Sequence, residues 1–179
     1  MNDNPRDERY PAILKDDEEL LNDLLAILAT RATGDPYGDD GSFAANISSL
    51  PAGLRAMAAT HWLDISPTLD SMTWHFGNFG EPHLVSETEV GLVELGLSDL
   101  ALCFRQAKEL MVPILAERKE ADGDPDEIVE RLERGPEADE LNRRAWDLHD
   151  LRSHKSAIYA AWVNYARQHP AEAFGDQPA

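Results

Sequence analysis

The 179-residue chain has one cysteine, Cys103, so no intrachain disulfide can form. A lone thiol fits a reducing compartment. Aromatic residues make up only 7% of the chain, and four lysines stand against twelve arginines. Bases are scarce altogether: 16 Lys and Arg face 34 Asp and Glu, for a formal net charge of -18. Phosphate binding needs clustered bases, so this balance argues against direct contact with nucleic acid. It argues equally against an anionic membrane surface. No apolar run approaches the roughly 20 residues that span a bilayer. The opening MNDNPRDERY has no apolar h-region, so the expected location is cytoplasmic. Abundant arginine and alanine suggest a GC-rich bacterial coding sequence.

Catalytic signatures are missing too. The chain has no H-E-x-x-H, C-x-x-C, G-x-S-x-G, P-loop or dinucleotide fingerprint. Its six histidines, His61, His75, His83, His149, His154 and His169, include no i, i+4 pair. On a helix Asp147, Asp150 and His154 share a face near His149, so one octahedral metal is conceivable there, but ordinary surface polarity is the preferred reading. Asp35, Asp39 and Asp40 lie in a glycine-rich loop without the alternating ligands of a calcium loop. Cys103 beside Phe104 reads as a buried, inert thiol. With 34 acids, paired carboxylates carry no information about acid–base chemistry. No catalytic residue, cofactor site or metal site is therefore assigned.

What remains is helical. Hydrophobic residues make up 42%, enough for a core at this length. Leu20, Leu21, Leu24, Leu25, Ile27 and Leu28 form a broad apolar face behind the acids Asp16 to Glu19, which favour a first turn. A short helix is expected over Ala52–Trp62. Ser86-x-x-Glu89 reads as a capping box opening a helix that ends at Leu95, with Gly96 as its C′ residue. Ser98 is expected to cap the next helix, whose seam is Leu100, Phe104, Ala107, Met111 and Ile114. Pro113 should kink or end it near Glu109. Asp124-Pro-Asp-Glu127 is a further start signal. Helices carrying Ala138, Leu141, Ala145 and Leu148, and then Ile158, Trp162 and Tyr165, complete the series before Pro170. No segment alternates as a strand would. The expectation is an all-α, single compact domain of seven or eight short helices. Residues 1–15 would be a flexible polar lead-in, 16–170 the helical domain and 171–179 a tail. Leu24, Leu28, Leu100, Phe104, Met111, Leu141, Leu148, Ile158 and Trp162 are expected in one core.

Charge is uneven. Residues 1–50 carry a net -7 and residues 120–150 a net -8, whereas 151–179 carry +1. The second acidic region holds Glu120, Asp122, Asp124, Asp126, Glu127, Glu130, Glu133, Glu137, Asp139 and Glu140. Such a surface either keeps the protein soluble or attracts a basic protein partner. The string Trp74-His-Phe-Gly-Asn-Phe79 fits no clean helical stripe. It reads as core aromatics at a helix end, or as a recognition wall of Trp74, His75 and Asn78.

The order of features from this string onward resembles a small acidic bacterial helical family that includes a DNA-mimic protein. The residues carrying the resemblance are Trp74 to Phe79, Gly96-Leu-Ser-Asp-Leu-Ala101, and Ile158-Tyr-Ala-Ala-Trp162 with Tyr165 to Ala171. They span about 69–115 and 155–174. The paired glycines that open the family's string are replaced here by Asp70-Ser71-Met72-Thr73. The resemblance implies a helical, acidic, non-enzymatic protein and carries over no catalytic residue. In one member, carboxylates stand where DNA places phosphates, and they occupy a DNA-binding protein. Duplex DNA shows one charge per roughly 1.7 Å of axis, a row that acids on successive helix turns can approximate. A DNA-binding protein or a toxin met by an immunity-type inhibitor are the expected partner classes. A small-molecule or enzymatic site around Trp74–His83, or a helical domain whose charge serves only solubility, are the alternatives. If the aromatic string is structural, Phe76→Ala should cost about 3–5 kcal/mol in chemical denaturation. A wild-type melting curve with lost partner binding would make the string a recognition site instead.

Overall fold

A computed structural model describes residues 9–69, 71–120, 135–149 and 156–175, with backbone alone over 68–69 and 114–120. Among the described residues are a 3-10 turn (Pro11–Leu14), nine α-helices and no strand. The helices are α1 (Asp17–Arg31), α2 (Ser42–Ile47), α3 (Ala52–Leu69), α4 (Met72–Asn78), α5 (Pro82–Glu94), α6 (Ser98–Glu120), α7 (Pro136–His149), α8 (Ala157–Gln168) and α9 (Pro170–Phe174). They form a single compact all-α arrangement, one or two helices richer than expected.

The arrangement is built round α3. Most of this helix is inside: Gly53, Leu54, Ala56 to Thr60, Leu63, Asp64, Ser66 and Pro67 are all buried, and Arg55, His61, Trp62 and Ile65 are partly exposed. A helix without a clean polar stripe belongs largely inside a fold. It packs against α1, α2, α4, α5, α7, α8 and α9, and most extensively against α5. Small residues permit the close α3–α5 approach. A Cβ on Gly91 would stand 3.0 Å from the Ala56 carbonyl oxygen. Thr88 Oγ1 donates across the same seam to the Ala59 carbonyl at 3.0 Å.

The described seam residues fall largely as expected, with Leu21, Leu25 and Ile27 only partly buried and the Ile114 side chain outside the described residues. Leu24, Leu28, Leu100, Phe104, Met111, Ile158 and Trp162 are buried in one cluster, and Leu141 and Leu148 are partly buried against it. Asp16 caps α1, accepting from the Glu19 N–H at 2.9 Å. Gly96 closes α5 with φ 77°, a conformation that favours glycine.

Several boundaries differ. The chain enters α5 at Pro82 and not at the Ser86 box. Glu81 caps it, its carboxylate accepting from the His83 and Leu84 N–H groups at 3.1 and 2.8 Å, and Pro82 sits where its missing N–H costs nothing. Ser98 is the first residue of α6 rather than its cap. α6 runs on to Glu120 through Pro113. Val112 and Pro113 are exposed, so the carbonyl that Pro113 leaves unpaired can be solvated. α3 likewise continues past Trp62, through Pro67, to Leu69. Asp124–Glu127 lies outside the described residues.

The ends of the described chain also pack into the fold instead of trailing from it. Tyr10 and Ala12 are buried, as are Ala173 and Phe174. The Tyr10 ring stacks on Phe174 at 5.9 Å, and its hydroxyl donates to the Gly175 carbonyl at 3.2 Å. Within this corner Gly53 is fixed by its neighbours. A Cβ there would lie 2.4 Å from Tyr165 Cε1 and 3.0 Å from the Glu172 carbonyl oxygen. The Tyr165 ring cannot swing freely, because its hydroxyl donates to Glu94 at 2.5 Å. Gly53→Ala should therefore overpack the corner and cost about 1–3 kcal/mol, read as a lower denaturation midpoint. An unchanged midpoint would show that α8 and α9 yield at no cost.

Candidate functional site

Of the ten acids expected to form a binding face, Glu137, Asp139 and Glu140 are exposed on the first turns of α7. Asp122, Asp124, Asp126, Glu127, Glu130 and Glu133 lie outside the described residues, as does the side chain of Glu120. Bases elsewhere are mostly engaged. Arg55 Nε meets Glu87 at 2.5 Å, and Glu89 takes both Arg105 and Lys108 at 2.6 and 2.5 Å. Lys15 pairs with Asp23, Arg167 with Asp17, and Arg143 with Glu140 and Asp147. These pairs hold the carboxyl of Glu89 below its usual range, chiefly through the Lys108 hydrogen bond. Among the described residues, the exposed Glu18, Asp99, Glu109, Glu137 and Asp139 have no basic partner. The acids of the glycine-rich loop are turned to their own backbone: Asp35 accepts from the Tyr37 N–H and Asp40 from the Ser42 N–H.

The aromatic string belongs to the core. Phe76 stacks on Phe104 at 4.9 Å and Phe79 on Trp62 at 5.3 Å. Trp74 and Asn78 are half-buried, and Asn78 Nδ2 donates to the Trp74 carbonyl at 3.3 Å. His75 is 1% exposed, so it presents no surface and the expected wall loses its middle member. Ser66 fixes its tautomer. The Ser66 hydroxyl donates to the Trp62 carbonyl at 2.8 Å and lies 2.8 Å from His75 Nδ1. With its one proton committed, the hydroxyl accepts from Nδ1–H, an assignment that rests on the network. His75 Nε2 is left a bare acceptor with no partner, beside the rings of Phe79 and Phe104. Burial pushes this imidazole down to about 3. His83, at the far end of the same region, is exposed, with Nδ1 held 2.8 Å from Glu81.

A second buried polar group joins α3, α7 and α8. Asp64 is 6% exposed and His149 1%, and His149 Nε2 lies 3.3 Å from Asp64 Oδ1. The contact is off line for a hydrogen bond, and both ring nitrogens of His149 go without one. Ser156 caps α8 by accepting from the Tyr159 N–H at 2.9 Å and donates its hydroxyl proton to Asp64. The Tyr159 hydroxyl lies 3.0 Å from His61 Nδ1. Burial raises the Asp64 carboxyl, opposed by the Ser156 hydroxyl and His149. Burial lowers His149 and His61. The metal pattern around His149 does not assemble here. His149 turns inward to Asp64, whereas Asp147 is exposed on Arg143; Asp150 and His154 lie outside the described residues. Among the described residues no group of three His, Cys, Asp or Glu side chains could hold a metal. No described helix is long and apolar enough to cross a membrane.

Two cavities open elsewhere. One, of about 560 Å³, lies between Arg9, Tyr10 and the α8–α9 junction at Gln168–Glu172. The other, of about 230 Å³, is walled by Leu25, Leu28, Ala29 and Ala32 of α1, Phe43 of α2, and Ala58, His61 and Trp62 of α3. Sequence reasoning missed His61, Asp64, Ser156 and Tyr159. One signal was present: Asp64 is the sole charged residue between positions 56 and 69, and a lone acid in an apolar helix needs buried partners. No family model, curated protein or solved structure matches the chain.

The neutral interior histidines make stability pH-dependent. Between about pH 6.5 and pH 3 the unfolded chain protonates its imidazole at position 75 and the folded chain does not, so stability falls as pH falls. The limiting slope from this group is about 1.4 kcal/mol per pH unit. His75→Gln keeps an N–H for Ser66 and removes the titration. Its unfolding free energy should therefore fall less steeply than wild type from about pH 6 to pH 4. Parallel slopes would mean that His75 is charged inside the fold.

Proposed function

We propose that this protein is a non-enzymatic acidic binding protein that engages a basic protein partner. The supporting observation is how its few bases are used. Lys15, Arg55, Arg105, Lys108, Arg143 and Arg167 are each held against carboxylates of their own chain. They cannot neutralise the other exposed acids without breaking these pairs. Exposed carboxylates on the first turns of α1 and α7 then present negative charge to an approaching surface, and the sequence of 120–150 adds a net -8. Complementary charge of this kind raises association rates more than it deepens affinity. A DNA-binding protein is the first partner class, following from the resemblance of residues 69–115 and 155–174 to the acidic helical family. A basic toxin met by an immunity-type inhibitor is the second.

The protein immobilised in native cytosolic extract, at about 0.05 M and about 0.5 M salt, should retain a basic protein only at the lower salt, because the Debye length falls steeply over that range. The retained protein should lose bound duplex DNA as this chain is added if the first class is right, and should show none to lose if it is a toxin without DNA affinity. Changing Glu127, Glu130 and Glu133 together to Lys should slow association at least about tenfold. The melting temperature, recorded beside the association rate, should hardly move, as charge exchanges away from packed or strained sites typically stay within about 0.5 kcal/mol. An unchanged association rate would leave the charge as a solubility feature.

A further inference from the structure

Large apolar side chains exposed to solvent gather on the α5–α6 pair. Val90 and Val93 of α5 are 57% and 54% exposed, and Leu102 and Val112 of α6 are exposed with them. We propose that this face docks an amphipathic helix of a basic protein partner, one whose apolar stripe is flanked by arginine or lysine. The proposal rests on the reading of a basic partner and adds the face and the kind of segment that meet. Glu89 fixes the geometry. Its carboxylate holds Arg105 at 2.6 Å and Lys108 at 2.5 Å, and only residues 95–97 separate the two helices, so α5 and α6 run antiparallel side by side. Val93 follows Glu89 by four residues and Leu102 precedes Arg105 by three. Both therefore stand one helical turn nearer the connection, on the two sides of the seam between the helices. Val90 lies one turn further along α5, beside Val93. On α6, Leu102, Arg105, Glu109 and Val112 recur at the spacing of one helical face.

Charge selects the occupant. Residues 82–113 carry five acids, Glu87, Glu89, Glu94, Asp99 and Glu109, against two bases, Arg105 and Lys108. Glu89 takes up both bases, while Asp99 and Glu109 are exposed with no basic partner among the described residues. The apolar side chains thus have a negative rim. A second copy would bring up another chain of net charge -18, and like charges set together oppose association. Residues 121–134 of the same chain, with six acids against two bases, are no better matched. An anionic membrane is repelled for the same reason. A helix with leucine, isoleucine or valine along one stripe and arginine or lysine beside it matches both the apolar centre and the acidic rim. Helices pack such a stripe into the seam between two others. The apolar contact would supply most of the affinity, and the rim would set orientation and association rate.

The test titrates the full ¹⁵N-labelled chain, in about 0.05 M salt, with two leucine–arginine peptides of identical composition and about 18 residues, long enough to form a helix. One places its leucines along a single helical face; the other has the same residues in an order that breaks the stripe. The striped peptide should give saturable shifts at the amides of Val90, Val93 and Leu102. It should bind at least about tenfold tighter than the scrambled one, a factor that burying two or three apolar side chains supports. Val90→Gln with Val93→Gln removes the stripe of α5 without changing charge or weakening the helix, and should bring the two peptides to within about twofold of each other. Leu102→Gln is the second variant and should weaken the striped peptide at least about threefold. Glu137→Gln with Asp139→Gln, on α7, should leave its affinity within about twofold. The proposal is overturned if the shifts map to α1 or α7 and miss α5 and α6, if residue order makes no difference to affinity, or if the Gln variants of α5 and α6 bind as wild type does. A wild-type dimer in sedimentation that the α5 variant dissolves would overturn it in favour of a second copy. The broader reading fails separately, when no basic protein is retained from extract at low salt; retention that the Gln variants leave unchanged removes this face alone.

Discussion

A helix buried over most of its length imposes a condition on everything around it: each buried polar group it carries must find its partner inside. α3 carries three such side chains, Thr60, Asp64 and Ser66, all buried. Thr60 donates to the Ala56 carbonyl at 2.8 Å and accepts from Trp162 Nε1 at 3.0 Å, which ties α8 to the middle of the helix. Ser66 takes the His75 imidazole of α4. Asp64 takes the hydroxyl of Ser156, the cap of α8. An unpaired buried polar group costs about 1–3 kcal/mol, so these contacts fix which helix lies where along α3. Apolar burial alone would tolerate sliding; the paired polar groups do not.

The bases obey a similar economy. With 16 of them against 34 acids, few are available, and most described pairs cross between elements. Arg55 links α3 to Glu87 of α5, Arg105 and Lys108 link α6 to Glu89 of α5, and Arg167 links α8 to Asp17 of α1. Arg144 reaches from α7 to Gln106 of α6 at 2.8 Å. Each exposed pair contributes little, typically under about 1 kcal/mol. Their placement at seams matters more, because like charges facing each other there would oppose packing. Glu18, Asp99, Glu109, Glu137 and Asp139, which have no basic partner among the described residues, are exposed.

The apolar periodicity of α1, α6 and α8 was readable because each buries one stripe: Leu20, Leu24 and Leu28, then Leu100, Phe104, Ala107 and Met111, then Ile158, Trp162 and Tyr165 are inside. α3 was not readable to its end. A helix buried over most of its surface shows no clear stripe, and Pro67 in an apolar run looks like a stop when no carbonyl partner can be foreseen. The start of α5 was misplaced because two valid signals compete within six residues. Glu81-Pro82 wins over Ser86-x-x-Glu89 by supplying a carboxylate to two amides and a proline at the first position. The burial of Tyr10 and Phe174 was hidden because their contact joins residues 164 positions apart, with nothing periodic to announce it. The polar cluster was hidden for the same reason: His61, Asp64, His149, Ser156 and Tyr159 come from three helices, and only the isolation of Asp64 in an uncharged segment hinted at it.

The surface charge and the neutral interior oppose each other in sign, and magnitude decides between them. A field from 18 excess negative charges favours protonated histidine. One exposed carboxylate 10 Å away contributes about 0.4 kcal/mol in water before screening, and the Debye length at physiological salt is about 8 Å. Holding His75 neutral down to about 3, from an ordinary value near 6.5, corresponds to on the order of 5 kcal/mol. A dozen carboxylates at that distance would be needed to match it, and screening removes most of their effect. Desolvation therefore sets the interior protonation states. His61 and His149 follow the same rule, since burial is the first cause of the lowering in both. The tautomer that Ser66 imposes on His75 depends on a local hydrogen bond and not on the surface charge. The surface charge can thus be set by whatever meets it, while the core keeps its own neutral chemistry.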